Sequence, residues 1–153
     1  TAVRTETPIA GTSFASVSAG EHHACALDGA GHAFCTGDNV NGQLASTPDG
    51  GVDTFTSLST PLAFQRIEAG YDRTCGITTA GALYCWGRNY PAWIPSAQGV
   101  VVNPTRIGTE SDFTQVGIGL TVNNVGAAVC NDGKMSFWAP AFVTDTVPSD
   151  PSP

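Results

Sequence analysis

One pattern recurs three times along the chain and constrains the fold more than any other feature. Phe14-x-x-Val17-x-x-Gly20, Phe64-x-x-Ile67-x-x-Gly70 and Phe113-x-x-Val116-x-x-Gly119 open three segments spaced by 50 and then 49 residues. The first two continue in step: Cys25-Ala26-Leu27 answers Cys75-Gly76-Ile77, Phe34-Cys35 answers Tyr84-Cys85, and Gly37-Asp38-Asn39 answers Gly87-Arg88-Asn89. A repeat of this length is one supersecondary unit that buries its apolar faces by stacking on its neighbours. Within each copy a short β segment, a Gly turn and a second β segment read as an antiparallel hairpin, as in Ala24 to Leu27, the turn Asp28-Gly29-Ala30-Gly31, and the return His32 to Thr36. Composition agrees. Gly 18 and Pro 10 are set against only 12% charged residues and a single Lys, Lys134, which disfavours helix interiors and their usual exposed faces. The fold class expected is all-β.

The third copy keeps the pattern after a three-residue insertion, so that Gly133 answers Gly81 and Trp138 answers Trp86 at a spacing of 52. Turn-rich stretches, Ser46 to Gly51 and Tyr90 to Pro104, separate the hairpins. The expected organisation is an N-terminal strand or connector at 1–13, repeats at 14–63 and 64–112, a divergent repeat at 113–146, and a tail at 147–153 whose three Pro in seven residues cannot build a ladder.

Cys25 and Cys35 are ten apart and centred on Ala30, and Cys75 and Cys85 are ten apart and centred on Ala80. If each hairpin bends at its Gly turn, the members of each pair face one another across adjacent strands at roughly 4.5 to 5.5 Å between Cα atoms, within disulfide range. Two intra-hairpin disulfides are expected. The competing reading, a four-Cys zinc site, lacks the short Cys-x-x-Cys spacing of a zinc knuckle. In the third copy Ala127 and Phe137 occupy the two facing positions, a small and a large residue in place of the covalent link. Disulfides imply an oxidising compartment. The fifth cysteine, Cys130, aligns with Thr78 and is expected either to pair between molecules or to stand as an unpaired structural thiol.

Six Lys and Arg against 13 Asp and Glu give a net charge of -7, which opposes a phosphate backbone or an anionic membrane surface. Residues 1–63 carry net -5, residues 64–112 net 0 and residues 113–153 net -2. No apolar run is long enough to span a membrane as a helix, no signal-peptide pattern stands at Thr1, and a first residue other than Met reads as a processed or excised product. Neither nucleic acid nor membrane insertion is expected.

Candidates for chemistry are few. His22, His23 and His32 lie near Glu21 and Asp28, but strand alternation sends His22 and His23 to opposite faces, which opposes a shared metal. Asp38-Asn39-Val40-Asn41-Gly42-Gln43 has some of the look of a calcium loop, yet Val40 holds a ligand position and the loop's distant Glu is missing, so a Gly turn is the better reading. There is no nucleophile elbow and no phosphate-binding Gly-Lys loop. No catalytic residue, metal or cofactor is expected. The strongest local anomaly is Tyr90, Trp93 and Ile94, set around Pro91 and Pro95 where the first copy has Val40, Gln43 and Leu44. Aromatic anchors on a Pro-bracketed loop suit either a protein-binding hot spot or a cap on the repeat's own core.

The run F-x-x-V-x-A-G-x-x-H-x-C-A-L-x-x-x-G-x-x-F-C-x-G-D-N-x-x-G-Q-L, from Phe14 to Leu44, resembles the regulator of chromosome condensation repeat, in the cysteine-bearing variety common in secreted bacterial proteins. The second copy matches from Phe64 to Asn89 and the third weakly from Phe113 to Trp138. His23 holds the family's usual His, replaced by Arg73 in the second copy, and Gly42-Gln43-Leu44 becomes Ala92-Trp93-Ile94. The resemblance implies one four-stranded β-propeller blade per repeat and makes His23 a structural residue. Seven such blades normally close the family's ring, whereas about three are visible here.

An open stack exposes apolar faces and strand edges, which invite association. The function expected is a non-enzymatic, extracellular or cell-surface structural or interaction module. Its partner would be other copies of itself, as a homo-oligomeric ring or filament, or a protein target bound through propeller loops as in inhibitors of the same repeat family. The chain could equally be an excised part of a longer propeller. The nuclear members of the family promote nucleotide exchange on a small GTPase and bind chromatin; an acidic chain with two disulfides does not suit that compartment.

Overall fold

A computed structural model of the chain describes residues 11–89, 99–120 and 126–138. It is all-β among these residues. β1 (Phe14–Ala19), β2 (His23–Asp28), β3 (Ala33–Asn39) and β4 (Asp49–Ser57) form one antiparallel meander, and β5 (Phe64–Ala69), β6 (Arg73–Thr78), β7 (Leu83–Asn89) and β8 (Gly99–Ile107) form a second in the same order. β9 (Phe113–Ile118), β10 (Gly126–Cys130) and β11 (Met135–Trp138) form a third. These are three blades. The fourth strand expected for the third copy falls outside the described residues, as do residues 1–10 of the connector expected at 1–13, the tail, and the loop bearing Tyr90, Trp93 and Ile94.

The registers repeat as closely as the sequence does. Cys25 pairs with Cys35 and Cys75 with Cys85, while Ala127 pairs with Phe137. In every blade the first strand slips by one residue just after its Phe, between Phe14 and Ser16, between Phe64 and Arg66, and between Phe113 and Gln115. Such a bulge sharpens local twist and re-aims the side chain. The Gly turns need their glycines: Gly31 has φ of 86° and Gly81 of 78°, a region open to residues without a Cβ.

Two stretches that read as turns from the sequence carry strand instead. β4 begins at Asp49, within Ser46–Gly51, and β8 begins at Gly99, within Tyr90–Pro104. Both are outermost strands, where ladder discipline is loosest. β8 pairs through Thr105 and Val101 but slips between them, so Pro104 sits in a bulge opposite Trp86. An edge strand with a bulge accepts a residue that cannot donate.

The blades stack face on face, and the core lies in the two seams between them. Between blades 1 and 2, Cys25, Leu27, Ala33 and Cys35 pack with Phe64, Ile67 and Trp86. Between blades 2 and 3, Cys75, Ile77, Leu83 and Cys85 pack with Phe113, Ala128 and Cys130. Each seam thus sets the half-cystine face of one blade against the Phe-bearing face of the next.

Candidate functional site

The seams show how one blade recognises another. Phe64 N–H donates to Gly31 O (2.8 Å) and Phe113 N–H to Gly81 O (3.0 Å), the same bond one repeat on. The Gln43 carbonyl of the β3–β4 loop crosses the first seam, accepting from Thr74 Oγ (2.8 Å) and from Trp86 Nε1 (2.9 Å). That loop is fixed from within: Asn39 donates to Ser46 Oγ, the Thr47 carbonyl and Asp49 Oδ1 and accepts from Leu44 N–H. These bonds make the Asp38–Gln43 stretch a structural turn.

His23 is buried at the same seam, with Nε2 2.9 Å from Thr74 Oγ. Since the Thr74 hydroxyl proton goes to Gln43 O, Nε2 is the donor, and Nδ1 finds no hydrogen-bond partner. Burial pushes the His23 pKa down to about 4 despite the opposing carboxylates of Asp38 and Asp72. Its counterpart Arg73, equally buried, lies beside Asp72, which also pairs with Arg88 (3.1 Å). His22 is exposed, and His32 bonds Asp28 (2.8 Å) at the hairpin bend. The three histidines therefore do not converge on a common site.

Cys25–Cys35 and Cys75–Cys85 are disulfides, with Cα separations of 4.1 and 4.0 Å. These are slightly shorter than the cross-strand spacing expected, as befits a close antiparallel pair. Cys130 has no disulfide partner among the described residues of the chain and is buried in the second seam, and desolvation followed by Asp112 raises its thiol pKa. Both effects disfavour the thiolate, which is the nucleophilic form. Its Sγ lies near carboxylates of Asp112 and Asp132, but Asp132 is already engaged by Lys134.

The feature that stands apart is what the outermost blades leave uncovered. Val17 on β1 is 68% exposed, whereas Ile67, its equivalent one blade on, is 6% exposed. Phe14 is half-buried only by stacking on Phe34 (5.4 Å) and Phe55 (5.2 Å) of its own blade, whereas Phe64 is buried in the seam. At the other end Met135 is 51% exposed where its equivalent Leu83 is fully buried. Ala127 and Val129, on the same face of β10, are half-buried, where Cys75 and Ile77 are covered completely. The sequence foretold open faces without assigning Phe14, Val17, Phe34, Phe55 or Met135 to them. Aligning the repeats and asking which copy lacks a neighbour would have found them.

A stack of antiparallel meanders, two of four strands and one with three described, whose faces interlock by repeating bonds is a segment of β-propeller. Residues 14–43 and 64–90 match the regulator of chromosome condensation (RCC1) repeat, so two of the three copies are similar to that repeat. Human WBSCR16 superposes with a TM-score of 0.75 at 16% identity over 88% of this chain and 35% of its own. Yeast RCC1 (Prp20), solved bound to Kap60, gives 0.71 at 22% identity over 82% of this chain and 32% of its own. The ectodomain of the Physcomitrella patens receptor kinase CR4 gives 0.56 at 22% identity over 86% and 31%. The chain thus spans about a third of the length of these structures. No curated protein sequence matches it.

Proposed function

We propose that this chain is a non-enzymatic protein-interaction module of an extracellular assembly, in which copies complete one another's blade stacks as a ring or filament. The observation that carries the reading is the contrast between Val17, 68% exposed, and Ile67, 6% exposed, at equivalent positions. The exposed face is built like a blade-docking face and lacks its blade. Two disulfides support an oxidising, extracellular setting. The cavity beside Leu44 and Leu58, about 110 Å³, falls below the roughly 300–1,000 Å³ of a small-molecule site, which favours recognition by surface.

Native mass measurement of the purified protein over a concentration series tests this. Assemblies that grow with concentration are expected, and a monodisperse, folded monomer overturns self-association. Val17→Asp, which desolvates a charge wherever the face is covered, is expected to shift the distribution back toward monomer without lowering the monomer's melting temperature.

A second reading is favoured by the length match: the chain corresponds to about three blades of a longer propeller, recognising a protein target through loops. Prp20 has been characterised for binding Gsp1p and histones; at 22% identity that likeness supports the fold and a protein-binding role in general. Tyr90, Trp93 and Ile94 are the candidate contacts for such a target. Trp93→Ala is expected to weaken target binding far more than it lowers the melting temperature; the reverse would make the residue a core cap.

A further inference from the structure

We propose that copies associate head to tail, with the Phe14–Val17 face of one copy's first blade seated on the Ala127–Met135 face of a second copy's third blade. The inference deepens the self-association reading above and rests on it. Its argument is the asymmetry of the internal seams. Each seam joins two different faces, one carrying the paired positions Cys25–Cys35 or Cys75–Cys85 with the aliphatics beside them, the other carrying the Phe of the following repeat. The chain leaves uncovered one face of each kind.

Backbone bonding points the same way. The bonds Phe64 N–H to Gly31 O and Phe113 N–H to Gly81 O recur at successive seams. Continued by one repeat, the series pairs Gly133 O of one copy with Phe14 N–H of the next. A face-to-face dimer about a two-fold axis would set Phe14 against Phe14 and leave no such donor–acceptor match. No like charges meet within the contact, since Phe14, Val17, Ala24, Ala26 and Phe34 on one face and Ala127, Val129 and Met135 on the other are all neutral. A contact between unlike faces either closes a ring or propagates as a filament.

The first seam also supplies a ruler. Cys25 Sγ lies 3.9 Å from Thr74 Oγ across it. The equivalent of Cys25 at the open end is Ala127, and the equivalent of Thr74 at the other open end is Ala24. Ala24→Cys and Ala127→Cys proteins should therefore be prepared singly and treated with a short bis-maleimide, alone and mixed, beside wild type, whose one cysteine outside the two disulfides is the buried Cys130. A covalent pair of twice the chain mass that forms only in the mixture is expected. A pair formed by Ala24→Cys alone, or by Ala127→Cys alone, means a two-fold contact and overturns the proposal. So does an oligomer that yields no pair in any combination. A wild type that is monomeric by native mass overturns the self-association reading itself, and with it this inference. If either alanine variant fails to fold, Val17→Cys mixed with Met135→Cys, both at exposed positions, gives the same readout.

Discussion

His23 is held at the first seam with Nε2 donating to Thr74 and Nδ1 unpartnered, an environment that accepts the neutral ring and not the imidazolium. Its pKa falls from 6.5 to about 4 in the fold, so between those values the unfolded chain binds the extra proton. Stability from this group is complete above pH 6.5 and is lost as pH falls toward 4, by at most roughly 3 kcal/mol. Urea denaturation at a series of pH values should show that loss in the wild type, and a flatter profile in His23→Gln, which keeps a donor for Thr74 but cannot titrate. An unchanged profile in the variant would assign the acid sensitivity to other groups. Gly20 is constrained differently: a Cβ there would collide with the Gly70 carbonyl, which also accepts from Glu21 N–H. Gly20→Ala is expected to cost about 1–3 kcal/mol by overpacking, measurable as a lower denaturation midpoint. The glycines that end the first two Phe-x-x-Val/Ile-x-x-Gly motifs are thus explained by how closely neighbouring blades approach, since a Cβ on Gly70 would likewise meet Ile118 of the next blade.

At the scale of the element, each central hairpin was legible because its signals are local. Period-two alternation, a Gly turn and two cysteines equidistant from that turn fix the register, and β2–β3 and β6–β7 adopt it. Closing a loop of about ten residues removes chain entropy worth roughly 2.7 kcal/mol. Replacing either pair by alanine is expected to lower stability by about that amount, plus a packing loss, because all four cysteines lie in the seam cores. Thermal melts of Cys25→Ala/Cys35→Ala and Cys75→Ala/Cys85→Ala against wild type check it; a loss confined to a few tenths of a kcal/mol would refute the entropic account. The outer strands were harder to read. β4 and β8 carry Gly50, Gly51, Gly99 and Pro104, residues that signal turns, and they hold strand geometry only because β3 and β7 supply a template and bulges absorb the misfits.

At the scale of the whole molecule, three stacked blades leave two unlike faces bare while the chain carries a net charge of -7, with -5 in residues 1–63 and -2 in residues 113–153. Two copies that meet each carry that net charge of -7, although the faces themselves are neutral. Long-range repulsion should oppose association at low ionic strength and fade as the Debye length shrinks from about 30 Å at 0.01 M to about 10 Å at 0.1 M salt. Sedimentation at increasing NaCl should show tighter association. The opposite trend would mean that ion pairs, not apolar faces, join the copies.

The sequence by itself determined the repeat, the hairpin registers and the number of blades, because strand alternation, turn chemistry and cysteine spacing act over a few residues and need no knowledge of the rest of the chain. It could not decide what becomes of equivalent side chains. Phe14 and Phe64 open the same motif, and Val17 and Ile67 follow at the same step, yet one pair lies at an open face and the other in a seam. Burial depends on having a neighbour, and only the stacking of the blades determines which copy has one.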